Sequence, residues 1–212
     1  MPSEAVARSG VLVIACGALA REIVALRRAN DWTTIDVTCL PPELHNRPER
    51  IPGAVQSAIR RYRDHYQSLF VAYGDCGTGG RLDAVLRAEG VERLPGAHCY
   101  ESFATPAVFA QLSEAEPGTF YLTDFLLQHF ERLVHRGLGL DRYPQLIAEY
   151  FRHYQRLVYL AQTESTEAQQ RARSIADSLG LSYHYHFTGY GTLGSALAAL
   201  QPRRAAVITW RH

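Results

Sequence analysis

Val11-Leu-Val-Ile-Ala-Cys-Gly17 decides how the chain is read. A short apolar, β-branched run that stops at Cys16-Gly17 predicts a strand buried on both faces, and residues 18–28 beyond it carry a helical pattern. Strand, tight turn and helix in that order open a parallel sheet of the α/β class.

The same unit recurs outward from this stretch. Ile35–Leu40 is a second strand that ends at Pro41-Pro42, and the loop Glu43-Leu-His-Asn-Arg-Pro48 leads to a helix over 51–66. The prolines place His45 on a loop. A third strand over 69–73 runs into Gly74-Asp-Cys-Gly-Thr-Gly-Gly80, whose glycines allow close backbone approach, before a helix over 82–89. A short strand over 91–94 precedes Pro95-Gly-Ala-His-Cys-Tyr-Glu101. Thr119–Thr123 is a strand, Asp124 is expected to cap a helix to about 135, and Pro144 starts another toward 154. Strand 157–161, helix 167–179, strand 181–188 and a final helix after Gly189-Tyr-Gly-Thr-Leu-Gly194 complete the pattern. The expectation is a mostly parallel sheet with helices on both faces, Rossmann-like and doubly wound, with a helical segment around 124–154. Residues 1–10 are expected to be a flexible N-terminus, 11–200 a single α/β domain, and 201–212 a tail or edge strand.

Composition bounds the function. Hydrophobic residues at 47% and charged residues at 20% are ordinary for a globular chain of 212 residues. With 22 basic and 21 acidic residues, no whole-molecule attraction to nucleic acid or anionic lipid is expected. Every basic residue is arginine, which excludes Schiff-base chemistry, a Walker lysine and a lysine general base. The first ten residues lack an apolar targeting core and no run reaches membrane-span length, so a cytoplasmic protein with reduced or metal-bound cysteines is expected.

Cys16, Cys76 and Cys99 each follow a strand, where loops and helix N-termini converge in open α/β sheets. Neighbouring strand ends lie only about 5 Å apart, so three sequence-distant thiols can meet on one metal or cluster. Free cysteines are more commonly small buried hydrophobes, the simplest fate for Cys39. Gly17, Gly74, Gly77 and Gly79 are read as cofactor-binding, and Glu101, Asp75 and His98 as proton-transfer or ligand-orienting groups. Three cysteines leave one open coordination position, which His45, His98 or Glu101 would close in a structural site. Three other arrangements compete: a phosphate cradle at 74–80 or 189–194, a thiolate assisted by His98 or His45, and metal binding by His184 and His186, which share one face of the last strand.

Ala15-Cys-Gly17, Leu44-His-Asn46, Tyr73-Gly-Asp-Cys-Gly-Thr-Gly79, His98-Cys-Tyr-Glu101, Pro117-Gly-Thr-Phe-Tyr-Leu-Thr-Asp124, Gly137-Leu-Gly-Leu-Asp141 and Thr188-Gly-Tyr-Gly191 together resemble a prokaryotic domain-of-unknown-function family, DUF1638. The resemblance implies that Cys16, Cys76, His98, Cys99 and Glu101 are motif residues, and that the gene often lies near corrinoid-dependent methyltransferases. In layout alone the three cysteines are similar to those of quinolinate synthase. The leading expectation is an iron–sulfur (4Fe-4S) enzyme whose open position takes a small-molecule substrate. The alternatives are a zinc–thiolate enzyme of methyl-group or one-carbon metabolism, and a non-catalytic accessory protein that binds a metal, a corrinoid or a partner methyltransferase, with oligomerisation open.

Overall fold

Strand β1 (Arg8–Cys16) runs between β2 (Ile35–Leu40) and β3 (Tyr66–Ala72), and β4 (Glu92–Arg93) adds to the far side of β3. All the pairings are parallel. The structure is a computed structural model that describes residues 8–201. β1 starts at Arg8, so residues 8–10 of the expected flexible N-terminus are strand. Of the expected C-terminal tail only Gln201 is described, its side-chain carbonyl accepting from Thr34 Oγ1 at 2.8 Å.

Register decides where the strands end. Cys16 pairs with Leu40 and Ala15 with Ala72, so the residues that follow β1, β2 and β3 emerge on one level. The apolar run of β1 is buried from Val11 to Cys16. Helices α1 (Ala20–Ala29) and α2 (Ile51–Tyr62) cover it with Ile23, Ile51, Val55 and Ile59, each fully buried and contributing ~1.5–3 kcal/mol. Helix α3 (Arg81–Glu89) packs beside α2 and adds Leu82 and Leu86 to the same core, while α1 lies on the opposite face.

The parallel strands divide between two sheets. β4 is two residues long, and beyond Leu94 the chain crosses the end of β3, so β4 remains the short edge of the first sheet. After α4 (Glu101–Ala104) and α5 (Pro106–Ala115), strands β5 (Thr119–Thr123), β6 (Arg156–Ala161) and β7 (Ser182–Phe187) form a second parallel sheet in that order. Helix α8 (Thr166–Leu179) packs Ala172 and Ala176 onto it.

The helical segment between β5 and β6 consists of short pieces: α6 (Asp124–Gln128), one π-helical turn (Glu131–His135) and α7 (Leu146–Tyr150). Thr123, and not Asp124, caps the first of them, accepting from Leu126 N at 3.3 Å. Asp124 instead holds the β6–α8 connection, accepting from Tyr159 Oη (2.7 Å), Gln162 N (3.1 Å), Thr163 N (3.0 Å) and Thr163 Oγ1 (2.6 Å). The C-terminal helix α9 (Leu193–Ala198) is docked by Thr192 N donating to Ser102 O at 2.8 Å.

One buried group resists this packing. Glu22 on α1 is 3% exposed, and its Oε2 has no partner among the described residues. Burial raises its carboxyl above the ordinary value, with nearby Asp124 adding to the shift. A raised carboxyl destabilises the fold only where it must ionise: the penalty is absent below the unfolded pKa, grows as pH rises between the unfolded and folded values, and is constant above both. Glu22→Gln is therefore expected to raise the Tm at neutral pH by roughly 2–4 °C, the span of ~1 kcal/mol in a chain of this size. The gain should vanish at about pH 4. A thermal melt series that shows an equal gain at both pH values would contradict this assignment.

Candidate metal centre

Each strand of the first sheet delivers one sulfur or nitrogen donor from beyond its carboxyl end. Cys16 closes β1, His45 follows β2 on the 3-10 turn Pro42–Asn46, Cys76 follows β3, and Cys99 follows β4. Cys16 Sγ, the His45 ring and Cys99 Sγ all lie within 4.8 Å of one another, and Cys76 Sγ is 3.0 Å from Cys99 Sγ.

Two glycines make this convergence possible. A Cβ on Gly17 would stand 2.9 Å from Pro42 Cδ and 3.0 Å from Leu40 O, so only glycine lets the turn bearing His45 close over the end of β1. Cys16 Sγ then lies 3.8 Å from His45 Nδ1 and accepts from Ala18 N at 3.3 Å. A Cβ on Gly74 would fall 2.7 Å from the carbonyl carbon of His98. Without it the loops after β3 and β4 join through Asp75 N to Gly96 O (3.0 Å) and Cys76 N to Ala97 O (2.7 Å). Cys76 sits in this junction at φ 51°, a strained conformation for a side chain with a Cβ.

The other expected site residues take different duties. Gly17 and Gly74, expected to hold a cofactor, are occupied by the backbone and proline contacts just described. Gly77 borders the adjacent cavity and Gly79 faces open space. Asp75 accepts from Thr78 Oγ1 (2.6 Å), Gly79 N (3.0 Å) and Gly80 N (2.9 Å), so the amides that a phosphate cradle would need are already bound. Glu101 accepts from Ala97 N at 2.8 Å and packs on Gly96. Both carboxylates hold loops. His98 lines the cavity and stacks on Tyr100, with ring centres 4.9 Å apart. In the second glycine-rich stretch, Gly191 abuts the backbone of Ser102 and Phe103. Cys39 is exposed on β2, and His184 and His186 lie on the edge strand β7, away from the cluster.

Close packing of three thiols and an imidazole sets their charges. Hydrogen bonding from the Cys99 thiol lowers Cys16 and Cys76 to about 5, with His45 reinforcing the shift and burial opposing it. Cys99 is raised well above the ordinary thiol value as the donor to both. Burial works against the His45 cation, but its hydrogen bonds to Cys16 and Cys76 and their charges raise it to about 11. These shifts favour negative charge on sulfur beside a protonated ring. His45 Nδ1, 3.8 Å from Cys16 Sγ, also lies 3.2 Å from Pro42 O, which holds the ring in place.

Tyr73, the residue after β3, carried no recognisable signal in the sequence beyond its place in a glycine-rich block. It is fully buried, stacks on His45 at 6.0 Å, and its hydroxyl has no well-formed hydrogen bond among the described residues. Burial, then the negative charge of the cysteine cluster and a contact with the Cys16 sulfur, hold it protonated. A buried hydroxyl whose contact with the Cys16 sulfur falls short of a well-formed hydrogen bond fits a centre that holds a further atom.

The cluster opens on a chamber of about 410 Å³ between the two sheets. His45, Cys76 and Cys99 border it from the first sheet, and Thr119, Tyr121 and Val134 from the second half of the chain. Asn46 Nδ2 donates to Leu133 O at 3.1 Å, and Glu43 pairs with Arg132, tying the His45 turn to that half.

Residues 39–197 match a family model described as a protein of unknown function, DUF1638. The match takes in His45, Cys76 and Cys99 and begins after Cys16. No curated protein and no solved structure matches the chain.

The role given to Gly74 can be measured through the pair of sulfurs. Phenylarsine oxide requires two adjacent thiols, so Gly74→Ala is expected to slow its capture by about tenfold or more, the equivalent of ~1.4 kcal/mol of overpacking. Gly53→Ala, on α2 with nothing within 4 Å of the added carbon, should leave capture unchanged. Equal capture by both variants would remove Gly74 from its place in the site.

Proposed function

From the premise that the chain belongs to the DUF1638 family, for which no activity is described, we propose that Cys16, Cys76, Cys99 and His45 hold a single soft metal ion, zinc foremost, at the wall of a small-molecule chamber. The observation that carries this reading is the convergence of Cys16, His45 and Cys99 within 4.8 Å of one another, with Cys76 set against Cys99 at 3.0 Å. Thiolate and imidazole together are the donor set of zinc and related soft ions.

Spacing favours one ion over a cluster. Tetrahedral zinc with Zn–S bonds of about 2.3 Å sets its sulfurs roughly 3.8 Å apart. In a cubane each thiolate binds a different iron, so the sulfurs stand apart by an iron–iron edge and two further bonds. The 3.0 Å between Cys76 and Cys99, and the 4.8 Å limit among Cys16, His45 and Cys99, belong with the single ion.

Bound there, such an ion supplies Lewis acidity, which makes a thiol or water nucleophilic near neutral pH. Cys16, Cys76 and Cys99 anchor it. His45, on the chamber side, is the donor that an incoming thiol or water would displace, and once displaced it is placed to take that group's proton. The protein is then a metal-dependent enzyme for a small-molecule substrate. A methyl-transfer role draws on the family resemblance, and a whole corrinoid far exceeds the chamber, so it would arrive on a partner protein.

A second reading, an accessory protein with a closed four-donor site, draws on Tyr143 and Tyr150, which are 55% and 47% exposed in the segment between β5 and β6. The chamber weighs against it, since a purely structural ion needs no cavity.

Anaerobic purification with measurement of zinc, iron, cobalt and sulfide tests the proposal. About one zinc per chain is expected, lost in Cys16→Ser, Cys76→Ser and Cys99→Ser and retained in Cys39→Ser; in His45→Ala affinity should fall about 10–100-fold. Iron with equimolar sulfide would replace the single ion by a cluster. Metal-free protein that still refuses added zinc would overturn the centre altogether.

A further inference from the structure

The lining of the chamber holds more information than its position. Among the described residues that border it there is no aspartate, glutamate or arginine. Its walls are aliphatic and aromatic, with Tyr121, Phe103, Phe120 and Val134 among them, and its polar groups are the thiols and imidazoles of the centre and a few neutral hydroxyls and amides. At about 410 Å³ it falls in the lower part of the ~300–1,000 Å³ range of small-molecule sites.

We infer that this chamber takes an uncharged, largely apolar molecule whose single polar end meets the sulfurs and whose body lies against the aromatic wall. The inference rests on the metal centre only for the direction in which the polar end points; the selection against charge belongs to the wall. A carboxylate or phosphate entering here would give up its hydration with no arginine to meet it and with the His45 ring already engaged by the Cys16 sulfur, at a cost of several kcal/mol. Cation–π recognition needs open ring faces around one point. Here Tyr100 stacks on His98 (4.9 Å) and on Tyr121 (5.3 Å), and Phe120 meets Tyr154 edge-on at 5.9 Å, so these faces are engaged by neighbouring rings. The apolar body alone gains about 25 cal/mol for each Å² removed from water.

The test compares benzyl alcohol, benzoate and benzyltrimethylammonium, which share one ring and differ in charge, by calorimetric titration of the metal-free and the zinc-loaded protein. Benzyl alcohol is expected to bind both forms, and the two ions at least about tenfold more weakly. Val134→Phe, which fills the chamber without touching a cysteine, should abolish benzyl alcohol binding and leave metal content unchanged; Leu126→Trp, on the less buried side of the wall, does the same if the first variant fails to fold. Either ion binding as tightly as the alcohol, no binding of the alcohol, or undiminished binding by a folded filled variant would overturn the inference. Failure of the metal centre reads differently: zinc would not load, while the alcohol would still bind the metal-free chain. With cobalt in place of zinc, benzyl mercaptan should change the visible spectrum, and no change would remove the assigned direction of the polar end.

Discussion

Two backbone hydrogen bonds, Asp75 N to Gly96 O and Cys76 N to Ala97 O, hold together the loops on which the site depends. They form because Gly74 has no Cβ to keep the His98 backbone away. Their effect is to draw two thiols that are 23 residues apart to 3.0 Å. Asp75 and Glu101 then fix the same loops from within, each by accepting backbone amides. Both carboxylates thus contribute to the geometry of the loops that carry Cys76 and Cys99.

Such a cluster is costly to assemble without a partner. Buried thiolates resist ionisation unless a cation or a donor meets them, and here the Cys99 thiol and the His45 ring do so for Cys16 and Cys76. Left-handed backbone at Cys76 and the unpartnered hydroxyl of Tyr73 add local strain to the same few residues. Left-handed backbone, shifted protonation and a poorly satisfied hydroxyl therefore gather at one cavity wall.

The second sheet explains why the site is a chamber and not a surface groove. Asn46 and Glu43 fasten the His45 turn to the segment after β5 through Leu133 and Arg132. The cysteines and His45 come from the strand ends of the first sheet, while the apolar lining is drawn from both halves of the chain, Leu19 and Phe103 on one side and Phe120 and Val134 on the other. Among the described residues no helix is long and apolar enough to cross a membrane.

The sequence alone determined the parallel α/β class, because continuous apolar runs such as Val11 to Ala15 have no wet face, and it determined that Cys16, Cys76 and Cys99 follow strands, because glycine and proline stop each run where they do. It also separated Cys39, which lies inside a strand. Only the tertiary structure decided that the strands split into two sheets, since the two-residue length of β4 depends on where the chain turns across β3. It likewise decided that His45, and neither His98 nor Glu101, joins the sulfurs, and that Tyr73 lies beside them. Those outcomes depend on distances between loops remote in sequence, which are set by what a missing Cβ at Gly17 or Gly74 permits against a neighbour that no local pattern names.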